Sequence, residues 1–502
     1  MNDLPQNPTI LAIDAGTSAL KAVLYDERGR VLAVTRSQYD YQTPQPGWAE
    51  GNPEDWWAAL GTALTDLRDN NFEMGNIKAI GLTGQMHTPI LLDKAGDVLP
   101  PTILWLDRRA VPETAELNRD LGLPPNQLNS TYTLPKLLWL ARHQPDVTAN
   151  IQTILWPKDY LRYRLTGKRF TDATEAYGAA LLDMEQGIWA VERLTPTGID
   201  PAILPPIRSA VDNAGSLLPD IARQFGLPAK AMVIVGAGDM ISLLAAAPPK
   251  TGRMTCSLGS SCMVASPLKN DQSFQDAQSR LYKIYVPPYH LINGVLSTSG
   301  AALTWAWKSL FDEGTPLENI LIAVEKLAPG AERLLFLPFL AGERSPYWND
   351  SLRGGFYGLT LAHNRAHMMR AVMEGVAYSL RQLIEISEEL GVEISEIALS
   401  GGGAGTRGWP QIIADVCQLP VVIYSEQETV TRPLYAYCTQ ALEPAISFDK
   451  ALLRTFYEEP RIVVPRSEQT ATYNPLYESY RVLADFAASA NFPAFAAEIE
   501  AL

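Results

Sequence analysis

Hydrophobic and polar positions along this chain follow two periods, and the switch from one to the other marks its elements. In Gly354–Glu374 (GGFYGLTLAHNRAHMMRAVME) a glycine-spaced aromatic strand runs into a helix. The apolar residues of that helix, Met369, Val372, Met373, Val376 and Leu380, keep the i, i+3, i+4 spacing of one buried face. From Thr9, TILAID reads as a buried strand, AGTS as a tight glycine turn and ALKAVLYD as a second strand; after the turn ERGR, VLAVTRS reads as a third. Near the midpoint, RMTCSLGSSCMVAS repeats the device of strand, Gly-Ser-Ser turn and strand. Two such hairpins, each opening one half, predict two related domains over residues 1–245 and 246–502, with the break at AAPPKTG, Ala246–Gly252. The strand runs IKAIGLTG, TILWP, MVIVGAG and EIALSGGG alternate with amphipathic helices, so the class is α/β. Beyond about Glu468 the chain reads as alanine-rich helix.

Composition narrows the class of partner. A length of 502 residues with 47% hydrophobic and 19% charged residues supports two sizeable cores. A net charge of −14 argues against nucleic acid and acidic membranes, both of which need a basic surface. The four cysteines, Cys256, Cys262, Cys417 and Cys438, form no C-x-x-C pair and read as reduced thiols of a cytoplasmic protein. The opening MNDLPQNP lacks a basic segment before an apolar stretch, and no apolar run approaches the ~18 residues of a membrane span.

Several strand ends carry residues suited to phosphate and hydroxyl chemistry. Asp14 closes the first strand and is followed by Gly16, Thr17 and Ser18; a carboxylate there can hold a hydrated magnesium ion while the turn aims N–H groups and hydroxyls at a phosphate. The same residues also make an ordinary Asp/Gly turn. Ser257-Leu258-Gly259-Ser260-Ser261 can grip phosphates in the same way. GGGAG, Gly401–Gly405, gives a nucleotide room against the backbone. It also contains G-x-G-x-x-G at Gly403, Gly405 and Gly408, with Glu426 some way on, the pattern of a dinucleotide site. Asp239, in VIVGAGDM, can serve as a base toward an alcohol or cap a helix. His87, in GLTGQMHT, follows a strand and a glycine turn, and the aromatic cluster Gly47–Trp57 can wall a sugar pocket or simply pack.

Taken in order, DAGTS, GQMH, PKLLWLARH, GAGD, SLGSSC, FLAGERSP, the Gly354–Glu374 segment and SGGGA resemble the motifs of the FGGY family of carbohydrate kinases, from near the start of the chain to about residue 405. The resemblance implies two actin-like ATPase (ribonuclease H-like) domains with the active site in the cleft between them. It implies ATP as phosphate donor and magnesium organised by Asp14 and Asp239. Gly16, Thr17, Ser18, Gly259 and Ser260 would take the phosphates, Gly401, Gly402, Gly403 and Ala404 would border the adenosine, and Asp239 would be the catalytic base. Within the family, GQMH and ILWLDRR look most like the xylulokinases, which places Met86, His87, Asp239 and Met240 at the sugar. The implied partners are a small sugar or polyol and ATP, with no nucleic acid and no membrane, and a homodimer as the assembly.

Two positions depart from the pattern. Met240 stands where many xylulokinases have asparagine, which removes a hydrogen bond to the sugar and keeps gluconate, ribulose and other polyols beside xylulose. TRPLYAYC, Thr431–Cys438, replaces a run of small residues, and the bulk of Tyr437 is expected to reshape the nucleotide pocket. Two rival readings stand: an NAD-type oxidoreductase built on the glycine fingerprint, and a non-catalytic sugar sensor. Retention of both Asp14 and Asp239 speaks against the sensor.

Overall fold

A computed structural model describes residues 9–122, 128–269, 274–424 and 429–489 of the chain. The opening octapeptide and Glu426, both weighed above, lie outside the described residues. The chain forms two compact units. One comprises residues 1–248, 285–288 and 427–457; the other comprises residues 249–284, 289–426 and 458–502. The break near residue 248 falls between the paired prolines of AAPPKTG, while residues 427–457, which follow the second hairpin in sequence, cluster with the first unit.

The first unit is organised around a six-stranded sheet. Its strands are β1 (Ile10–Ala15), β2 (Ala19–Tyr25), β3 (Val31–Gln38), β4 (Ala79–Gly84), β5 (Asn213–Ser216) and β6 (Met232–Ile234), in the order β5-β6-β4-β1-β2-β3. β1 pairs antiparallel with β2 and parallel with β4, so Asp14 stands opposite Lys21 on one side and Thr83 on the other. Residues Ile10–Ile13 and Ala79–Gly84 are buried, as a central strand covered on both faces requires. The helices Pro53–Asp69 and Pro157–Thr166 supply cover, as does Arg432–Leu442, which packs on β4 and β1. Tyr437 lies on that last helix, buried, with its ring 4.9 Å from Phe448 and its hydroxyl donating to the carbonyl of Pro287. Its bulk is thus taken up inside the first unit.

The second unit repeats the plan. Its seven-stranded sheet includes β7 (Arg253–Leu258), β8 (Cys262–Pro267), β9 (Tyr289–Leu296), β10 (Glu396–Ser400), β11 (Val421–Ile423) and β12 (Arg461–Val463), in the order β9-β8-β7-β10-β11-β12. β7 is antiparallel to β8 and parallel to β10, as β1 is to β2 and β4. The helix Arg365–Glu389 begins at a capping box formed by Asn364 and His367. Its residues Met369, Val372, Met373, Val376 and Leu380 are all buried, as their spacing predicts. Two such sheets in one chain make the α/β, actin-like architecture that the motifs lead one to expect.

Candidate active site

The first hairpin turn is held by side chains from far along the chain. Its backbone closes through Gly16 N–H donating to the carbonyl of Ala19 at 3.1 Å. The Gly16 carbonyl in turn accepts from the Tyr39 hydroxyl at 2.6 Å and from Gln85 Nε2 at 3.3 Å. Trp105 Nε1 donates to Thr17 Oγ1 at 2.9 Å, which occupies an acceptor site of that hydroxyl and leaves its proton to be given to an acceptor. Asp14 is half-buried at the end of β1 and Ser18 is exposed at the tip.

Asp239 begins a short 3₁₀ helix, Asp239–Leu244, beyond β6. The approach to it is sterically demanding. Gly236 takes a φ of +73°, and a Cβ there would sit 2.1 Å from the carbonyl oxygen of Leu82. Burial, with the charge of Asp14 added, raises the Asp239 carboxyl to about 7. The two carboxylates therefore feel one another, which brings the first hairpin and the GAGD segment into one site. Met86 is buried and packs on Gly238, where an added Cβ would lie 2.5 Å from its Cγ. His87, at φ +68°, directs Nδ1 to the carbonyl of Gly178 at 2.7 Å. A carbonyl only accepts, so Nδ1 carries the proton and Nε2 is left as an acceptor. Burial, with the charge of Lys136 added, pushes the ring down to about 4, so it is neutral at pH 7. Met240 is half-buried beside Asp239.

The face around Asp14 also suits a hydrated magnesium ion. Thr83 pairs in register with Asp14, and Gln85 follows directly on the end of that strand. Thr83 Oγ1 and Gln85 Oε1 are buried without a hydrogen-bond partner. Among the described residues no group of three or more His, Cys, Asp or Glu side chains forms a protein cage. One or two carboxylates with neutral oxygens nearby is the donor set that magnesium takes when phosphates complete its shell.

In the second unit the hairpin Ser257–Ser261 and the glycine turn meet. Gly259 and Ser260 are exposed. Their carbonyls accept from the backbone of Ser299, Gly300 and Ala301 at 2.8–3.1 Å. Gly401 has a φ of +79°, and a Cβ on it would lie 2.7 Å from the carbonyl oxygen of Leu258, while one on Gly403 would lie 2.1 Å from Leu258 Cδ2. Close packing on the hairpin therefore explains both glycines. Gly402 is exposed with nothing within 4 Å of an added Cβ, and Ala404 is buried.

Within each unit the structure thus gathers the residues expected together: Asp14, Gly16, Thr17, Met86, His87 and Asp239 in the first, Gly259, Ser260 and Gly401–Ala404 in the second. Sequence reasoning gave no role at the turn to Tyr39, Gln85 or Trp105: the last two lie in GQMH and ILWLDRR, read there only as motifs, and nothing local shows that these side chains reach a turn far along the chain. It also offered the Gly47–Trp57 aromatics as a sugar wall. Trp56 is instead buried in the core, Trp57 packs on Phe225, and Trp48 stacks on the guanidinium of Arg109 at 3.6 Å.

Comparison with known proteins agrees with this layout. The N-terminal domain of the FGGY family of carbohydrate kinases matches residues 9–245, and the C-terminal domain of that family matches residues 254–432. A xylulose kinase of Bacillus subtilis (strain 168) is 32% identical over 491 residues, covering 94% of this chain and 96% of its own. The crystal structure of a ligand-bound xylulose kinase from Lactobacillus acidophilus superposes with a TM-score of 0.87 at 26% identity, over 96% of this chain and 98% of that one. The structure of a gluconate kinase from the same organism gives 0.86 at 27% identity, with the same coverage. Fold similarity therefore does not separate the two sugars.

Proposed function

Because the chain belongs to the FGGY family of carbohydrate kinases, we propose that it transfers the γ-phosphate of ATP to D-xylulose, giving xylulose 5-phosphate, with Asp239 as the general base. The observation that carries the assignment of the base is the convergence on one segment of Asp239, the charge of Asp14 and the side chain of Met86 against Gly238. Xylulose is placed first because the xylulose kinase of Bacillus subtilis aligns over nearly the whole chain. Family membership also sets aside the oxidoreductase reading.

The Asp239 carboxylate accepts the proton of the sugar hydroxyl, and the oxygen so freed forms a bond to the γ-phosphorus as the bond to the ADP oxygen breaks. A value of about 7 keeps a substantial fraction of Asp239 ionised at neutral pH and makes it basic enough to accept that proton. His87 offers Nε2 as an acceptor to another sugar hydroxyl, while Met86 and Met240 give the pocket an apolar wall. The Thr17 hydroxyl, turned by Trp105, donates to a phosphate oxygen, and Gly259 and Ser260 present backbone and hydroxyl donors in the second unit. Asp14 and Asp239, with Thr83 and Gln85 beside them, would hold magnesium, whose charge offsets that of the phosphates. The Gly401–Ala404 turn borders the adenosine.

A coupled ADP-release assay over pentuloses, polyols and aldonates tests the substrate, and Asp239→Asn tests the base. Xylulose should give the highest kcat/KM. Asp239→Asn should lower kcat by ~10²–10⁴-fold, the range for a lost general base. A gluconate preference would overturn the sugar, and an unaltered kcat in Asp239→Asn would overturn the base.

A further inference from the structure

The short helix Ala173–Gly178 touches both groups that the proposed reaction places at the sugar. At its C-terminal end the carbonyl of Gly178 receives His87 Nδ1–H at 2.7 Å. At its first turn, Thr174 Oγ1 accepts the backbone N–H of Gly238, the residue before Asp239, at 2.7 Å. The same hydroxyl donates to Asp172 Oδ2 at 2.7 Å, and that carboxylate caps the helix by accepting Thr174 N–H at 2.8 Å. Its other oxygen is ion-paired with Lys158 Nζ at 2.9 Å, and Lys158 also holds Asp159 at 2.6 Å. Arg162 continues the chain of charges, bonding Asp159 Oδ1 at 2.6 Å and the carbonyl of Val235 at 2.9 Å. Thr174, Asp172, Lys158, Asp159 and Arg162 are 0% exposed.

The segment leading to Asp239 is thus gripped at two points, Val235 O by Arg162 and Gly238 N–H by Thr174, from a network with no exposed member. Burial works against the charge of Lys158, yet the carboxylates of Asp159 and Asp172 outweigh it and hold the ammonium above its ordinary value. Donation to Asp172 Oδ2 fixes the direction of the Thr174 O–H, which leaves a lone pair for the Gly238 N–H. A displacement of about 1 Å in a base costs on the order of 10²-fold in rate, which gives a fixed amide next to Asp239 a catalytic consequence.

We propose that Thr174 is a positioning residue: from the Asp172–Lys158 ion pair, through the N–H of Gly238, it fixes where the Asp239 carboxylate meets the sugar hydroxyl. The inference rests on Asp239 being the base. Thr174→Val, which keeps the shape and removes the hydroxyl, should lower kcat at least tenfold while the sugar KM moves less than threefold. Thr174→Ser should return kcat to within threefold of the parent. A merely structural role would lower the melting temperature of Thr174→Val and leave kcat per folded molecule unchanged; that result, or a serine variant as slow as the valine one, overturns the proposal. Native-state amide exchange of the full chain keeps the test open should the valine variant not fold: the Gly238 amide should be protected in the parent and in Thr174→Ser, and unprotected exchange in the parent overturns the proposal. Asp239→Asn separates the two levels. If that variant is inactive while Thr174→Val turns over normally, only the positioning role falls; if Asp239→Asn is fully active, the base assignment falls first.

Discussion

The two hairpins share a topology and differ in chemistry. Each joins the first two strands of its sheet, and each first strand pairs antiparallel with the second and parallel with a later one. The position two residues before the turn glycine is Asp14 in one and Ser257 in the other. Side chains hold the first turn, through Tyr39 and Gln85 on Gly16 and Trp105 on Thr17. The second is held mainly by backbone, through the N–H groups of Ser299, Gly300 and Ala301, with the Ser299 hydroxyl as a longer second donor to the carbonyls of Gly259 and Ser260. A turn pinned by its carbonyls from the backbone depends little on side-chain identity and suits a constant ligand such as phosphate. A turn pinned by an indole, a phenol and an amide, with a carboxylate beside it, is where substitution acts on charge and on the acceptor substrate.

Exchanging the differing residue is the sharpest way to break this comparison. Asp14→Asn should raise the magnesium concentration needed for half-maximal rate and lower kcat by ~10²-fold or more, the scale of losing a preorganised electrostatic partner. Xylulose affinity, read by equilibrium binding, should stay within about threefold. Ser257→Ala, at the equivalent place, should cost less than tenfold in kcat. Equal losses in the two variants would mean that the hairpins are chemically interchangeable, and a loss confined to sugar affinity would move Asp14 to the substrate.

Much of this contrast was legible in the sequence, and its limits have a physical reason. Glycine turns after apolar strands, a carboxylate at a strand end and a 3.6-residue apolar stripe are local patterns, so both hairpins, Asp14, Asp239 and the Arg365–Glu389 helix could be read directly. The contacts that orient them are long-range. Trp105 reaches Thr17 across 88 residues and Thr174 reaches Gly238 across 64, and no local pattern shows either pairing, although Trp105 itself lies in ILWLDRR. Tyr437 shows the same limit: its neighbours in sequence suggested the nucleotide, whereas its ring rests on Phe448 inside the first unit.

The units also differ in what their buried carboxyl groups do. Asp239 and Glu343 are each held at about 7, chiefly by burial, but Glu343 accepts the backbone N–H groups of Ser297 at 2.6 Å and Arg344 at 2.8 Å. It therefore secures the loop that leads to the donors of the second hairpin. A folded value above the ordinary 4.5 means that the native chain retains a proton the unfolded chain releases. The stabilisation is complete below pH 4.5 and is lost as pH rises through 7, a difference of about 3 kcal/mol for Glu343. Glu343→Gln keeps the acceptor and removes the titration. The fall in melting temperature between pH 5 and pH 8 should shrink by roughly 5–10 °C, the scale for a unit of this size, leaving the part due to Asp239 and the other carboxyls that burial raises, Glu175 and Glu374 among them. An unchanged dependence would show that Glu343 does not titrate in this range, while its two hydrogen bonds would stand.

The smallest expected effect lies at the sugar. Met240 follows the base and is half-buried, and with Met86 it presents thioether and methylene where a polar side chain could meet a hydroxyl. His87, neutral at pH 7 and with Nδ1 committed to Gly178, can only accept there. In the proposed sugar site these three side chains therefore offer no donor to a ketose oxygen. A neutral hydrogen bond is worth about 0.5–1.5 kcal/mol net, which is about two- to tenfold in affinity. The parent should therefore accept xylulose with a raised KM, and Met240→Asn should improve kcat/KM for xylulose by about that factor, mainly through KM. Gluconate provides the control, since an amide that merely enlarges or wets the pocket would help both sugars alike. A drop in kcat/KM for xylulose in Met240→Asn, or an equal gain for gluconate, would sink the assignment of Met240 to the ketose contact and leave the phosphotransfer reading in place.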